Sequence, residues 1–217
     1  LDGNIHSGWD DMFLVKYNSS GTKLWTKQLG TSSDERGNGV TTDSSGNIYV
    51  IGVTGGIFSG GDIFLVKFNS SGTELWSKQL GTSSDDRGNG VTTDSSGNIY
   101  VTGSTEGGLD GNTNSGDYDI FLVKYNSSGT KQWTKQMGTS SDDIGNGVTT
   151  DSSGNIYVTG YTDRTGNENI ILVKYNSSGT ILWTKQLGTS SDERGNSVTT
   201  DSSGNIYVTG YTRGGLD

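Results

Sequence analysis

The stretch GVTTDSSGNIYVTG, from Gly90 to Gly103, occurs with few changes four times in this chain of 217 residues. It consists of two short runs rich in β-branched and aromatic residues, and the turn sequence DSSGN joins them. An Asp opens such a turn by accepting hydrogen bonds from backbone amides a few residues on, and a Gly supplies the positive φ that closes it. The stretch therefore predicts a β-hairpin.

A second hairpin follows each of the first three copies of this one, and a fourth copy of the second hairpin precedes them all. In one period it consists of DIFLVKYN (Asp119 to Asn126), the turn SSG, and KQWTKQM (Lys131 to Met137). All four runs of a period have the length and composition of strands, and no stretch shows helical periodicity. Each period of about 50 residues thus predicts a four-stranded antiparallel meander.

Apolar residues occupy both faces of the third strand in each period. Ile120 and Leu122 point to one side of the predicted sheet, and Phe121 and Val123 point to the other. A sheet with one face in water would alternate apolar and polar residues, so these sheets are covered on both faces. Four-stranded sheets packed face to face between copies of themselves describe an all-β fold, the β-propeller. We expect the repeated tryptophans to pack against the next blade; they are Trp25, Trp76, Trp133 and Trp183.

The repeat resembles a known family. GVTTDSSGNIYVTGYT (Gly147 to Thr162), with the following LVKYNSSGT and LWTKQLG, is similar to the bacterial β-propeller repeat abbreviated SBBP. The segment around each repeat Trp also resembles the tryptophan-docking motif of quinoprotein propellers, without their cofactor ligands. The resemblance implies a scaffold or binding module of a secreted or surface protein, and it transfers no catalytic residue.

The domain organisation follows from where the strands fall. We predict one propeller domain over 1–217, with full blades at about 38–80, 89–137 and 146–188 and a composite blade of 11–30 plus 196–210. A closed four-bladed ring would pair Asn205–Gly210 with Asp11–Asn18 and remove both sheet edges. Two alternatives stay open at this point. Two chains could exchange half-blades in an eight-bladed homodimeric ring, or the sequence could be a fragment of a longer repeat array.

The composition narrows the function classes. The chain has no Cys, a single His (His6) and a formal net charge of −9. The lack of Cys excludes thiol chemistry, and the single His excludes a Ser–His–Asp triad other than one built on His6. The negative charge would repel phosphates, which argues against nucleic-acid binding. No run has the length of a membrane helix, so we expect no membrane insertion. The Ser, Thr, Asn and Gly content suits a secreted or surface-exposed bacterial protein, and the sequence predicts a non-enzymatic one without a cofactor.

Acidic pairs mark the loop before each first strand. One loop reads TSSDERGN, and a pair of carboxylates recurs in all four. The pairs are Asp34–Glu35, Asp85–Asp86, Asp142–Asp143 and Asp192–Glu193. These carboxylates either bond backbone amides and the Arg that follows in three of the loops, or hold a cation. Asp34, Asp85 and Asp192 are candidate ligand-binding residues.

Calcium is the one metal that the sequence suggests. Asp110, Asn112 and Asn114 have the alternate spacing of oxygen ligands in calcium loops, although the Gly comes one place late for an EF-hand. Asp142 and Asp143 lack the neighbouring Arg, so we expect any calcium site to lie between them and the Asp110 loop. The residues Asp2 to Asp11 form a partial second copy of this loop, with His6 in place of the third oxygen.

Trp9 lies outside the repeat, close to His6. An exposed Trp stacks well on a sugar ring, so Trp9 and His6 are candidate carbohydrate contacts. We therefore expect a scaffold or recognition module with a protein or glycan ligand, and a lectin-like propeller is the alternative function.

Overall fold

The computed structural model describes residues 6–55, 60–163 and 166–216, which form sixteen antiparallel strands in five sheets. The N-terminal sheet has two strands, β1 (Met12–Tyr17) and β2 (Lys23–Leu29). Three four-stranded blades follow. Blade 1 contains β3 (Glu35–Thr42), β4 (Ile48–Thr54), β5 (Asp62–Phe68) and β6 (Glu74–Leu80). Blade 2 contains β7 (Asp86–Thr93), β8 (Ile99–Thr105), β9 (Asp119–Tyr125) and β10 (Lys131–Met137). Blade 3 contains β11 (Asp143–Thr150), β12 (Ile156–Asp163), β13 (Glu168–Tyr175) and β14 (Ile181–Leu187). The C-terminal sheet again has two strands, β15 (Glu193–Thr200) and β16 (Ile206–Thr212).

The predicted fold class is confirmed, because each full repeat is a four-stranded meander with its strands in sequence order. The first strand of each blade begins three residues earlier than predicted, at Glu35, Asp86 and Asp143. The second acid of each loop pairs with the last Thr of the second strand, as in Glu35 with Thr54. A helix occurs only as one 3-10 turn at Leu109–Gly111 within the described residues, and no helix there could span a membrane.

The tight turns have the predicted chemistry. In blade 2, the Asp94 carboxylate accepts hydrogen bonds from the backbone amides of Ser96 and Asn98, each at 2.9 Å. It also accepts one from the hydroxyl of the buried Tyr100, at 3.0 Å. Gly97 closes the turn with φ of +77°, a conformation that residues with a Cβ rarely adopt. The turn thus supplies an acceptor for a Tyr hydroxyl that packing holds inside the blade.

The core of the described residues consists of three apolar layers, each at a junction between neighbouring sheets. Between blades 1 and 2 it contains Tyr49, Ile51, Val101 and Phe121, all at most 1% exposed. Similar layers join blade 2 to blade 3 and the N-terminal sheet to blade 1. Each blade therefore gains its stability from its neighbours, which explains why the sequence recurs.

A β-bulge in the first strand of each full blade carries a polar contact to the next sheet. The pairing of β3 with β4 skips Asn38, between Gly37 and Gly39. The freed side chain of Asn38 donates a hydrogen bond from Nδ2 to the Gly88 carbonyl of blade 2, at 2.9 Å. A bulge redirects a side chain in this way because its extra residue is left without a partner in the neighbouring strand. Asn89 repeats the contact to Gly145, also at 2.9 Å.

The predicted composite blade is not formed within this chain, which corrects the expectation of a closed four-bladed ring. The segments 205–210 and 11–18 lie in separate two-stranded sheets rather than one. The side chain of Val40, on the first strand of blade 1, is 61% exposed, whereas its equivalent Val91 is 9% exposed. Within the described residues, therefore, no strand covers this side of β3. We call the two end sheets the N-terminal half-blade (β1–β2) and the C-terminal half-blade (β15–β16).

Candidate functional site

The long loops lie on one face of the arc, opposite the tight turns. This long-loop face contains the connections from second to third strands and from each blade to the next. The two kinds of loop are joined by backbone hydrogen bonds, as from Glu106 to the Asp85 carbonyl at 2.9 Å. Variable loops on a rigid scaffold are where binding sites usually lie.

The second acid of each loop pair is buried and structural. The Asp143 carboxylate accepts bonds from the backbone amide and the hydroxyl of Thr139, at 2.6 and 2.8 Å. The three counterparts make the same bonds; they are Glu35 with Thr31, Asp86 with Thr82 and Glu193 with Thr189. These four carboxylates fix the loops.

The first acid of each pair lies nearer the surface and has different partners in different blades. Asp85 accepts a hydrogen bond from the Gly61 amide at 2.7 Å and one from the Arg87 guanidinium at 2.9 Å. The bond from the Gly61 amide is the main cause that lowers the pKa of Asp85 below its ordinary value. Asp192 pairs with Arg213 at 2.7 Å.

A polar groove of about 540 Å³ lies between blades 1 and 2 on this face. Asp34, Arg36, Asp85 and Arg87 line it. The Arg36 and Arg87 side chains are 64% and 54% exposed, although each guanidinium is also part of an ion pair. We call this site the arginine groove.

Ion pairs hold both arginines in place. Arg36 contacts Asp10 Oδ2 from Nε at 2.8 Å and from Nη2 at 2.6 Å, and Nη2 also lies 4.0 Å from Asp34. Arg87 bonds Asp85 and lies over the Tyr118 ring, 5.4 Å from the centroid. A guanidinium positioned in advance loses less conformational freedom when it binds a planar carboxylate. An acidic ligand would bind the guanidinium N–H groups that are not bonded to Asp10 or Asp85.

The other seams lack this arrangement. Ile144 replaces the arginine in blade 3. Arg194 is bonded to Glu168 and lies between the rings of Tyr161 and Tyr211, at 4.2 and 5.9 Å from the centroids. The sequence pointed to Asp34 and Asp85 but missed Arg36 and Arg87 as ligand-facing groups. The signal was present, because two consecutive repeats keep Arg at a position that the third does not.

The structure gives the calcium candidates separate partners. Asp110 is bonded to Lys131 and Thr134 on the outer strand of blade 2. Asp117 and Asp163 are charged neighbours of Asp142. Burial is the main cause that raises the pKa of Asp142 above its ordinary value, and the charge of Asp117 is the next. Asn112 and Asn114 donate their amides to the loop backbone, to Leu109 and Glu106. Across 6–55, 60–163 and 166–216, no group of three or more His, Asp or Glu side chains could hold a metal ion. Calcium binding stays a prediction.

The partial second copy of the calcium-like loop is only partly described. Residues 2–5 lie outside the described residues. His6 has Nδ1 at 3.2 Å from the buried carboxylate of Asp11. The Trp9 side chain is 81% exposed, as a sugar-stacking residue would be.

The sequence also missed a set of buried carboxyl pairs at the seams. Asp119, at the start of β9, is fully buried and close to the buried Asp143. One oxygen of Asp119, Oδ1, has no hydrogen-bond partner. Burial first, and the charge of Asp119 to a smaller degree, raise the pKa of Asp143 above its ordinary value. At the next seam Asn169 takes the place of Asp119 opposite Glu193.

We expect Asp119→Asn to stabilise the protein at pH 7. The folded state binds the proton of Asp143 more tightly than the unfolded state does, because the pKa of Asp143 is raised on folding. The protein is therefore more stable while Asp143 is protonated, and it loses this stability as the pH rises from the ordinary carboxyl pKa through the raised one. Removing the charge of Asp119 relieves the repulsion, so the melting temperature should rise by about 2 to 4 °C, for about 1 kcal/mol. The gain should disappear near about pH 3, where carboxyls are protonated.

The matched control is the reverse change, Asn169→Asp. It should lower the melting temperature at pH 7 and leave it unchanged in acid, because it creates opposite Glu193 the repulsion that Asp119→Asn removes. Melting curves for both variants between acid and neutral pH make the comparison. If each variant changed the melting temperature by the same amount in acid as at pH 7, charge repulsion at the seams would not be the cause of these changes in stability.

The comparisons with known proteins agree with the fold. The SBBP β-propeller repeat model matches four times, at residues 24–59, 75–110, 132–166 and 182–217, so the chain belongs to this family. A β-propeller domain of unknown function, DUF5122, also matches residues 152–181.

Two curated relatives are similar over part of the chain. An uncharacterized WD repeat-containing protein of Acanthamoeba polyphaga mimivirus is 30% identical over 183 residues, which cover 64% of this chain and 13% of that protein. Regulatory protein FlaEY of Caulobacter vibrioides is 25% identical over 164 residues, which cover 66% of this chain and 17% of that protein. The chain thus spans less than a fifth of the length of either relative.

Proposed function

We propose that this protein is a non-enzymatic recognition scaffold, whose arginine groove binds an acidic segment of a protein partner. The observation that carries the proposal is the pair of half-exposed guanidiniums, Arg36 and Arg87, held in one groove by Asp10 and Asp85. The names of the relatives, a WD repeat-containing protein and a regulatory protein, support an interaction role. Composition and family resemblance support a secreted or surface-exposed bacterial setting.

We propose no catalysis in the groove because its carboxylates belong to ion pairs and loop contacts. The bonds from the Gly61 amide and the Arg87 guanidinium hold the pKa of Asp85 below its ordinary value, so it carries no proton to donate at neutral pH. The single histidine, His6, is paired with Asp11. We expect no hydrolase or oxidoreductase turnover, and turnover that survived repurification would contradict this part of the proposal.

Selection from a phage-displayed random-peptide library tests the groove. We expect enriched peptides to contain Asp or Glu, because a carboxylate can pair with the guanidiniums. The double variant Arg36→Glu/Arg87→Glu should bind these peptides at least tenfold more weakly than the wild type. Lys78→Glu/Lys185→Glu is the matched control, since it changes the net charge equally on the outer strands β6 and β14. The proposal fails if no peptide is enriched, or if both double variants weaken binding equally.

A carbohydrate ligand is the second candidate, and the exposed Trp9 supports it. Trp9 lies in the loop before β1, near Asp10 of the Arg36 ion pair. A glycan array probed with the same protein distinguishes the two candidates. Signals on glycans combined with no enriched peptide would favour the lectin-like function, and a silent array would count against it.

A further inference from the structure

The seam between blades 2 and 3 contains a buried carboxyl pair beside polar atoms that have no partner. Asp119 and Asp143 are both at most 2% exposed. The Asp143 amide donates a hydrogen bond to the carbonyl of Tyr118, the neighbour of Asp119, at 2.7 Å. Oδ1 of Asp119 and the hydroxyl of Thr162 are buried, and neither has a hydrogen-bond partner among the described residues. Buried polar atoms are usually paired, so these two need an explanation.

Thr162 lies directly across the hairpin from Asp143. The two residues are opposed in the pairing of β11 with β12, where opposed side chains project from the same face of the sheet. Burial raises the pKa of Asp143 above its ordinary value, and the Thr162 hydroxyl is close enough to offset part of that rise. The hydroxyl nevertheless lacks the geometry of a hydrogen bond to the carboxylate. Asp119, Asp143 and Thr162 thus bring their oxygen atoms to one buried place.

Two other seams of the chain show what satisfies a threonine at this position. Where the second acid is Glu, its longer side chain reaches the Thr hydroxyl. These bonds run from Thr54 to Glu35 at 2.8 Å and from Thr212 to Glu193 at 3.1 Å. The side chain of Asp143 is one methylene shorter. Its carboxylate therefore ends short of the hydroxyl that a glutamate would bond.

The seam between blades 1 and 2 differs, although its second acid is also an Asp. One oxygen of Asp86 has no partner there, but the Thr105 hydroxyl donates to the Gly107 carbonyl at 3.1 Å. Asp62, the residue equivalent to Asp119, is only half-buried. Among the described seams, only the one between blades 2 and 3 combines an unpartnered carboxylate oxygen with an unpartnered hydroxyl on the Thr opposite the second acid.

We propose that Asp119, Asp143 and Thr162 bind a calcium ion at the seam between blades 2 and 3. Calcium takes roughly six to eight oxygen ligands in a flexible geometry. Two buried carboxylates balance the charge of one divalent cation, and a cation between them replaces their repulsion with attraction. The described residues contain no cluster of three acidic side chains suited to a metal. Hydroxyl, carbonyl and water oxygens therefore supply the other ligands.

The surface over this seam favours the approach of a cation. The charges of Asp117 and Asp163 lie near Asp142, and Ile144 stands where the other loops have an arginine. Negative potential at an opening concentrates cations near it. The arginine groove lies between blades 1 and 2, so the calcium site is separate from the site of the proposed function and does not rest on it.

Melting curves with and without calcium test the site. The ionic strength is kept equal, because screening alone weakens repulsion between carboxylates. Millimolar calcium should raise the melting temperature by about 2 °C or more relative to protein in EDTA, since a ligand of the folded state stabilises it. Titration calorimetry should give one bound calcium per chain. Superimposed melting curves, or a stoichiometry other than one, would overturn the proposal.

Asp143→Glu tests the ligand set. Two repeats have Glu at the equivalent position, so the variant should fold, and its longer side chain should bond Thr162 as Glu35 bonds Thr54. We expect it to bind calcium at least tenfold more weakly than the wild type. Asp86→Glu is the matched control at the seam between blades 1 and 2, and its calcium affinity should equal that of the wild type. An unchanged affinity in Asp143→Glu, or an equal loss in both variants, would contradict the assignment.

Asp119→Asn separates calcium binding from charge repulsion. In EDTA this variant should melt above the wild type, because the charge facing Asp143 is gone. Millimolar calcium should then raise its melting temperature far less than that of the wild type, because one carboxylate ligand is missing. A calcium shift as large as in the wild type would show that Asp119 does not bind the ion, and the proposal would fail.

Discussion

Gly103→Ala is expected to lower the free energy of unfolding by about 3 kcal/mol, the upper end of the usual cost of overpacking. Gly103 lies in the middle of β8, the second strand of blade 2. A Cβ atom there would lie 1.8 Å from the carbonyl oxygen of Arg87 and 2.8 Å from the ring of Phe121. Neither neighbour can move without separating β7 from β8 or displacing a fully buried ring.

Urea unfolding at neutral pH measures this effect. Gly215→Ala is the control, because a Cβ atom at Gly215 has no neighbour within 4 Å, and its change should stay within about 0.5 kcal/mol. Gly210→Ala, in the C-terminal half-blade, should cost less than Gly103→Ala. Its Cβ atom meets the Arg194 carbonyl at the same distance of 1.8 Å, but its three nearest atoms are all backbone and none belongs to an aromatic ring. A stability of Gly103→Ala equal to that of the wild type would show that blades 1 to 3 are packed more loosely than described.

Trp133→Ala is the second change with a large expected effect, about 3 kcal/mol. The ring of Trp133 packs on Gly179 of blade 3 and lies 6.2 Å from the ring of Tyr100 in its own blade, centroid to centroid. Its removal opens a cavity at the seam between blades 2 and 3. Both blades lose apolar contacts at once.

Trp183→Ala is the matched control for Trp133→Ala. Trp183 keeps the contact with a Tyr of its own blade, Tyr157 at 6.2 Å, but within the described residues the next sheet has only two strands and no turn glycine for the Trp183 ring to pack on. At a dilution where the protein sediments as one chain, its loss should cost about 1 kcal/mol. Equal losses for the two variants there would mean that packing within the blade, rather than between blades, accounts for the role of the tryptophans.

The strands and turns could be predicted from the sequence because their signals are local. The DSSGN and NSSGT turns, the β-branched runs and the repeat Trp predicted four strands per blade, and β10 (Lys131–Met137) has the predicted bounds. The early start of each first strand depends on a pairing between Glu35 and Thr54, across the hairpin. Such a pairing has no signature within a short window of sequence.

The arrangement of the seams could not be predicted because it depends on contacts between blades. The side chains that meet at each junction come from blades about 50 residues apart, as in the layer of Tyr49, Ile51, Val101 and Phe121. The different partners of Arg36, Arg87 and Arg194 depend on loops of unequal length that the repeat does not encode. The unpartnered oxygen of Asp119 likewise appears only when two blades are brought together.

Native-state amide hydrogen exchange tests most directly the central claim that the single chain is an open arc of mutually supporting blades. At a concentration where the protein sediments as one chain, we predict the slowest exchange in the β8–β9 and β12–β13 pairings, which have neighbours on both sides. The amides of β1 and β16 that point to the open edges should exchange far faster, since no strand covers them. Protection of β1 and β16 equal to that of β8 and β9 in the single chain would contradict the account and show a ring closed on itself.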